Sequence, residues 1–224
     1  DTLMESFNQS LFLFLNATNI THTVIFTCAI FFASYVVFLS PFVLLAGWLR
    51  GNKKTRKLIL TAAIASLTSL LLSFFIGLIW PHPRPFAIGL GHLWIPHAAT
   101  ASFPSNHLVL FWSISFSLLL AQLPTSTPPK SWRHLWQEKN LIGTLHGQKI
   151  CGILLSLLGI PIAWARIYLG VHFPFDMVGA ALIACCSAGL CFYAKRLIEP
   201  MFQYILKVYQ YLFAPLIRRG WVLK

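Results

Sequence analysis

Five long stretches of the chain carry almost no charge, and the polar residues gather between them. Segments 22–48 and 58–80 contain no Asp, Glu, Lys or Arg. Segment 108–123 is shorter and can borrow residues from the loop before it. Segment 150–165 can run on past Arg166, and 173–194 is interrupted only by Asp176. A spanning helix needs roughly 20 predominantly apolar residues, so these five read as transmembrane helices. Two other segments are ambiguous. Residues 3–15 are too few to span, and they alternate polar with apolar positions, as in an amphipathic helix lying in the interface. Residues 201–217 carry Gln203 and Lys207 and also read as interfacial. If either one crosses, the count becomes six. The expectation is an all-α polytopic membrane helix bundle of five or six transmembrane helices with an N-terminal amphipathic helix. It forms a single domain over 1–224, with 195–224 as a cytoplasmic or interfacial tail.

Composition agrees. The chain is 57% hydrophobic and only 10% charged, against about 25% charged residues in soluble domains. Disorder, a collagen-like chain and a disulfide scaffold are excluded. The five cysteines lie in or beside apolar segments without metal-site spacing, and read as small buried apolar side chains. No Lys or Arg precedes the first apolar run, so no secretory signal is expected.

The net charge of +12 would suggest nucleic acid in a soluble protein. Here its distribution points to topology instead, and no nucleic-acid partner is expected. Arg50, Lys53, Lys54, Arg56 and Lys57 lie between the first and second apolar segments. Lys130, Arg133, Lys139 and Lys149 lie between the third and fourth. Lys195, Arg196, Lys207, Arg218, Arg219 and Lys224 follow the fifth. That places 15 of 17 basic residues on one side, which the positive-inside rule makes cytoplasmic. Only Arg84 and Arg166 fall on the outer side. A charge placed against the topology signal marks a functional site.

Four segment ends, far apart in sequence, reach that outer face. They bring Arg84, Ser105, His107, Arg166, His172 and Asp176 to one depth. Two arginines suit bidentate capture of phosphate oxygens. Ser105, Asn106 and His107 stand where a helix begins, and free N–H groups there favour an anion. His172 and Asp176 are one helical turn apart. A carboxylate behind a histidine fixes its tautomer and stabilises the cation it becomes, which prepares His172 to attack phosphorus. His107 is then available to protonate the leaving oxygen. No acidic cluster or HExxH-like run is present, so no metal site or cofactor is expected.

These residues form a pattern that resembles the type-2 phosphatidic acid phosphatase superfamily. That family has a Lys upstream of Arg-Pro, then Pro-Ser-Gly-His, then Ser-Arg-x5-His-x3-Asp. This chain has Arg84-Pro85, Pro104-Ser105-Asn106-His107 and Ala165-Arg166-x5-His172-x3-Asp176. Gly77 stands where the Lys is expected, Asn106 replaces the Gly, and Ala165 replaces the Ser. The motifs cover residues 77–176. Pro-His-x-Arg-Pro-Phe and Tyr-Leu-Gly-Val-His (168–172) are similar to undecaprenyl diphosphate phosphatases of the bacitracin-resistance type. The resemblance implies an isoprenoid diphosphate lipid substrate, a phosphohistidine intermediate, no metal, and residence in the bacterial plasma membrane with the site outward. It also implies His172 as nucleophile, Asp176 as its orienting partner and His107 as general acid. Arg84, Ser105, Asn106 and Arg166 would bind phosphate, and His82 would supply part of the missing Lys charge. Another lipid phosphate is the alternative substrate, and a transporter or membrane scaffold the non-enzymatic alternative.

Plainer roles compete at several positions. Ser105 reads equally as an N-cap. The side chain of Asn106 can point away and leave only its N–H. His82 is a turn residue between two prolines. His92 and His97 read as residues at the mouth of the site. Trp80, Phe86, Trp94 and Trp164 read as an interfacial aromatic belt. The 53–57 basic run reads as a topology signal facing anionic lipid, and 124–148 as an interfacial loop. Asn8, Asn16 and Asn19 begin glycosylation sequons of no weight in a bacterial chain.

Overall fold

The protein is described by a computed structural model covering residues 3–19, 23–120 and 145–220. Among the described residues all regular structure is helical. The elements are α1 (Leu3–Leu15), α2 (Thr23–Ser34), α3 (Leu39–Arg50), α4 (Lys53–Ile79), α5 (Asn106–Leu119), α6 (Leu145–Tyr168), α7 (Pro174–Tyr193), α8 (Lys195–Leu212) and α9 (Ala214–Arg218). Thr23–Arg50, Lys53–Ile79, Gly147–Tyr168 and Pro174–Tyr193 are long and apolar enough to cross a membrane, and α5 is apolar but shorter. The end of the third expected span and most of the 124–148 loop lie outside the described residues.

The first expected span is interrupted. A short 3-10 turn, Val36–Phe38, separates α2 from α3. Pro41 explains the break, because it has no N–H to give the carbonyl of Val37. The Ser40 hydroxyl donates to that carbonyl instead. One consequence is that the last carbonyls of α2, Ala33 among them, lack helical donors.

The second span starts earlier than its hydropathy predicts. The Asn52 side chain accepts from Thr55 N at 2.9 Å and caps α4 at Lys53. This corrects the reading of the 53–57 run as a purely lipid-facing charge cluster. Arg56 is fully buried. It donates to Trp48 O at 2.8 Å and to the Tyr209 hydroxyl at 3.2 Å, with its guanidinium over the Tyr209 ring. Lys57 pairs with Glu199. The α8 helix buries Ile198, Phe202, Leu206 and Tyr209 along one stripe, so an amphipathic tail is pinned to the basic end of α4.

At the centre, α5 packs against α4, α6 and α7. Small residues make the close approaches, as is usual between helices in lipid. A Cβ at Gly159 would lie 1.9 Å from the Trp112 indole nitrogen, and one at Gly179 2.1 Å from the Phe103 ring. Buried serines link the helices, with Ser113 donating to Ser66 at 3.1 Å and Ser115 to Gly152 O at 2.9 Å. Outside, Leu67, Leu71, Phe74, Leu157, Leu182 and Leu190 are exposed. In water this would be an aggregating surface; in a bilayer it is the lipid face. Cys28, Cys185 and Cys186 lie on that face, not in the core as their apolar surroundings predicted, and only Cys191 is buried.

Candidate active site

Each site residue sits where a helix starts or stops. Arg84 precedes the 3-10 turn Pro85–Ile88, Ser105 is the N-cap of α5, and His107 lies in the first turn of α5. Arg166 is in the last turn of α6, and Asp176 in the first turn of α7. His172 lies in the tight link between those two helices. That link needs glycine at position 170, where φ is +81° and a Cβ would stand 2.0 Å from His92 O.

His172 is 1% exposed and held from both sides. Its Nδ1 lies 3.1 Å from Asp176 Oδ2, and its Nε2 lies 3.1 Å from Arg84 Nη1. A guanidinium only donates, so Nε2 accepts and Nδ1 carries the proton toward the carboxylate. The free lone pair of the ring therefore sits on Nε2. Burial pushes the imidazole pKa down to about 4, although Asp176 pulls it upward, so His172 is neutral at physiological pH. The same Asp176 oxygen accepts Phe173 N at 2.8 Å and the hydroxyl of Ser102, itself fully buried.

The two arginines differ in a way their sequence positions do not reveal. Arg84 is fully engaged. Nε donates to Thr100 O, Nη2 to Thr100 Oγ1 and Ala101 O, and Nη1 to Val171 O and His172 Nε2, at 3.0 to 3.2 Å. All five donors of the fork are used. Arg166 donates Nη1 to Ala33 O at 3.3 Å and Nη2 to His97 Nε2 at 3.1 Å, while its buried Nε has no partner among the described residues. The carbonyl freed by the α2–α3 break thus fixes one side of Arg166. His107 is within electrostatic reach of Arg166, His172, His97 and Arg84.

Three expectations change. His82 does not join the phosphate cluster. Its ring packs against Trp80 and Phe173, and its Nε2 lies 3.5 Å from Glu5 of α1. The prolines on both sides fix the backbone, and Ser102 N takes its carbonyl at 2.8 Å. The Asn106 side-chain oxygen accepts from Ser73 of α4, so that side chain is turned to the helix packing. Ser105 makes no capping bond, and its buried hydroxyl has no partner among the described residues. A Cβ added at Gly77 would stand 3.3 Å from Ala101 Cβ, so a longer side chain there would press on the loop that anchors Arg84.

Sequence reading missed Ser102, Thr100 and the clamp made by α1 and the residue after it. Asn16 donates Nδ2 to His92 O at 3.0 Å and to Tyr168 O at 3.1 Å, and accepts His92 N at 2.7 Å. Asn8 accepts Phe175 N at 3.1 Å in the first turn of α7. Both asparagines are buried. Asn16→Ala is expected to cost about 1–3 kcal/mol by stranding buried polar groups, read as a lower Tm in detergent together with a lower kcat.

The fold and site define a helical membrane protein that gathers a histidine–carboxylate pair and two guanidiniums at its helix ends. Residues 54–198 match the PAP2 superfamily. The chain is 34% identical over 223 residues to "Putative undecaprenyl-diphosphatase YbjG" of Escherichia coli (98% of this chain, 99% of that one). It is 27% identical over 203 residues to undecaprenyl-diphosphatase BcrC of Bacillus subtilis (91% and 92%). The crystal structure of Aquifex aeolicus LpxE superposes with a TM-score of 0.54 at 26% identity, covering 82% of this chain and 93% of that one. The chain belongs to the PAP2 superfamily. It is a multi-pass membrane protein and a lipid phosphatase of that family.

Proposed function

We propose that this protein removes the terminal phosphate of undecaprenyl diphosphate on the outer face of the bacterial plasma membrane, recycling the carrier lipid for cell-wall synthesis. The observation that carries the reading is His172, with Asp176 on Nδ1 and Arg84 on Nε2. In the first step Nε2 attacks the terminal phosphorus, and the bond to the bridging oxygen breaks. His107 gives that oxygen its proton, so undecaprenyl phosphate leaves. In the second step His107 takes a proton from water, whose oxygen attacks the phosphohistidine, and inorganic phosphate leaves with His172 restored. Arg166, Ser105 and the N–H groups opening α5 hold the phosphoryl oxygens. A cavity of about 390 Å³ beside Asp176, walled by Trp80, Phe103, Phe175, Val178 and Leu182, suits an isoprenoid chain.

Purified protein is expected to release phosphate from undecaprenyl diphosphate with EDTA present, because two guanidiniums beside a single carboxylate repel a divalent cation. Phosphatidic acid should turn over more slowly; faster turnover would move the assignment to a different lipid phosphate. Orientation has its own test. In a cysteine-free background, Ala99→Cys and Lys54→Cys, both exposed, should react with impermeant reagents from opposite sides of the membrane. Reaction from one side only would overturn the outward site.

A further inference from the structure

We propose that His97 is a positioning residue for Arg166, presenting the phosphate-binding side of that guanidinium to the reacting phosphoryl group. The inference rests on the phosphatase reading and goes beyond it. Arg166 Nη2 can only donate, so His97 Nε2, 3.1 Å away, accepts. The ring proton is then on Nδ1, which lies 3.0 Å from Ala98 O. Both ring nitrogens are thereby assigned, and the imidazole is held neutral. Burial pushes its pKa down; the Ala98 carbonyl works against that, while Arg84 and Arg166 add to it.

The contact matters because Arg166 has so few others. Ala33 O is its sole remaining partner among the described residues, at 3.3 Å, and its Nε is buried and free. With one side of the fork fixed by α2 and another by His97, the remaining N–H groups have one orientation. Without His97 the guanidinium can turn about a single contact. The His97 ring also stands 6.3 Å from the His172 ring, edge to face, so the acceptor that aims Arg166 borders the nucleophile. His97 comes from the 80–105 loop, which also supplies Thr100 and Ala101 to Arg84. One loop therefore sets both arginines.

The test uses the full chain in detergent and two readouts. Vanadate binding by calorimetry reports the phosphate site whatever the lipid. Phosphate release from undecaprenyl diphosphate reports turnover. His97→Phe keeps the ring but removes the acceptor. It is expected to weaken vanadate binding on the order of tenfold, the scale of one lost hydrogen bond to a charged group, and to raise KM by more than it lowers kcat. His97→Gln can return an acceptor oxygen and should stay within about threefold of wild type on the same scale. In an Arg166→Lys background His97→Phe should add little, because the two act as a unit. Should His97→Phe not fold, His97→Ala replaces it in every comparison. Vanadate binding unchanged in the acceptor-free variant, or His97→Gln as impaired as His97→Phe, overturns the proposal. Wild-type protein that binds vanadate but leaves undecaprenyl diphosphate intact would refute the lipid assignment and leave the His97 comparison readable.

Discussion

His172→Ala is expected to eliminate phosphoenzyme formation and to lower kcat on the order of 10⁴-fold or more, as when a hydrolase loses its nucleophile. The neighbouring imidazole of His97, with its ring 6.3 Å away, already has its Nε2 bound to Arg166. Among the described neighbours of His172, Arg84 and Arg166 are cationic donors, and Asp176 already holds three partners on one oxygen. His107 is the imidazole proposed as general acid, and no carboxylate accepts from it among the described contacts. Nothing among the described contacts fixes its tautomer as Asp176 fixes that of His172. His107→Ala should therefore slow turnover by about 100-fold or more, the scale of general acid–base catalysis, while phosphoenzyme still forms. A substrate whose leaving group needs no proton should reduce that loss. The measurement is acid-quenched protein after exposure to substrate labelled with ³²P in the terminal phosphate. Label retained in His172→Ala and absent from His107→Ala would reverse the two roles.

The parts of this molecule that the sequence makes legible are those set by short-range rules. The α1 helix begins and ends at Leu3 and Leu15 as its alternation predicts, and α7 follows from an apolar run opened by Pro174. The His172–Asp176 contact follows from their spacing at a helix start. The break after α2 had a visible signal in Ser40-Pro41, which the hydropathy of the whole stretch concealed. The rest depends on how the 80–105 loop folds over the bundle. Thr100, Ala101 and Val171 hold Arg84 mainly through backbone carbonyls, which any residue type could supply. Ser102 has no periodic or motif context, and Asn16 acts across 152 positions of sequence. The setting of His82 is hard to read for a related reason. Its distance from Arg84 along the chain is short, but rigid prolines on either side turn it toward Glu5.

Replacing the two arginines by lysine should separate their roles. Lysine keeps the charge and gives up the planar fork. At position 84 the fork is bound to three backbone carbonyls, one hydroxyl and His172, and an ammonium has three donors at most. Arg84→Lys thus strands buried acceptors, each costing about 1–3 kcal/mol. It loosens the 80–105 loop and frees Nε2 of His172 to turn away. The expected result is a marked fall in Tm and a kcat lower on the order of 10³-fold, since a misplacement of about 1 Å at a reacting centre alone costs about 10²-fold. Position 166 should respond differently. Arg166 binds two groups of the protein, its Nε has no partner among the described residues, and its other donors are proposed to serve the ligand. Arg166→Lys should leave Tm nearly unchanged and raise KM on the order of tenfold, with a smaller loss in kcat, because it removes binding common to ground and transition states. Steady-state kinetics and thermal unfolding of both variants in one detergent decide the matter. If Arg84→Lys keeps its Tm and loses only KM, Arg84 is a ligand-binding residue like Arg166, and the division drawn from their hydrogen bonds fails.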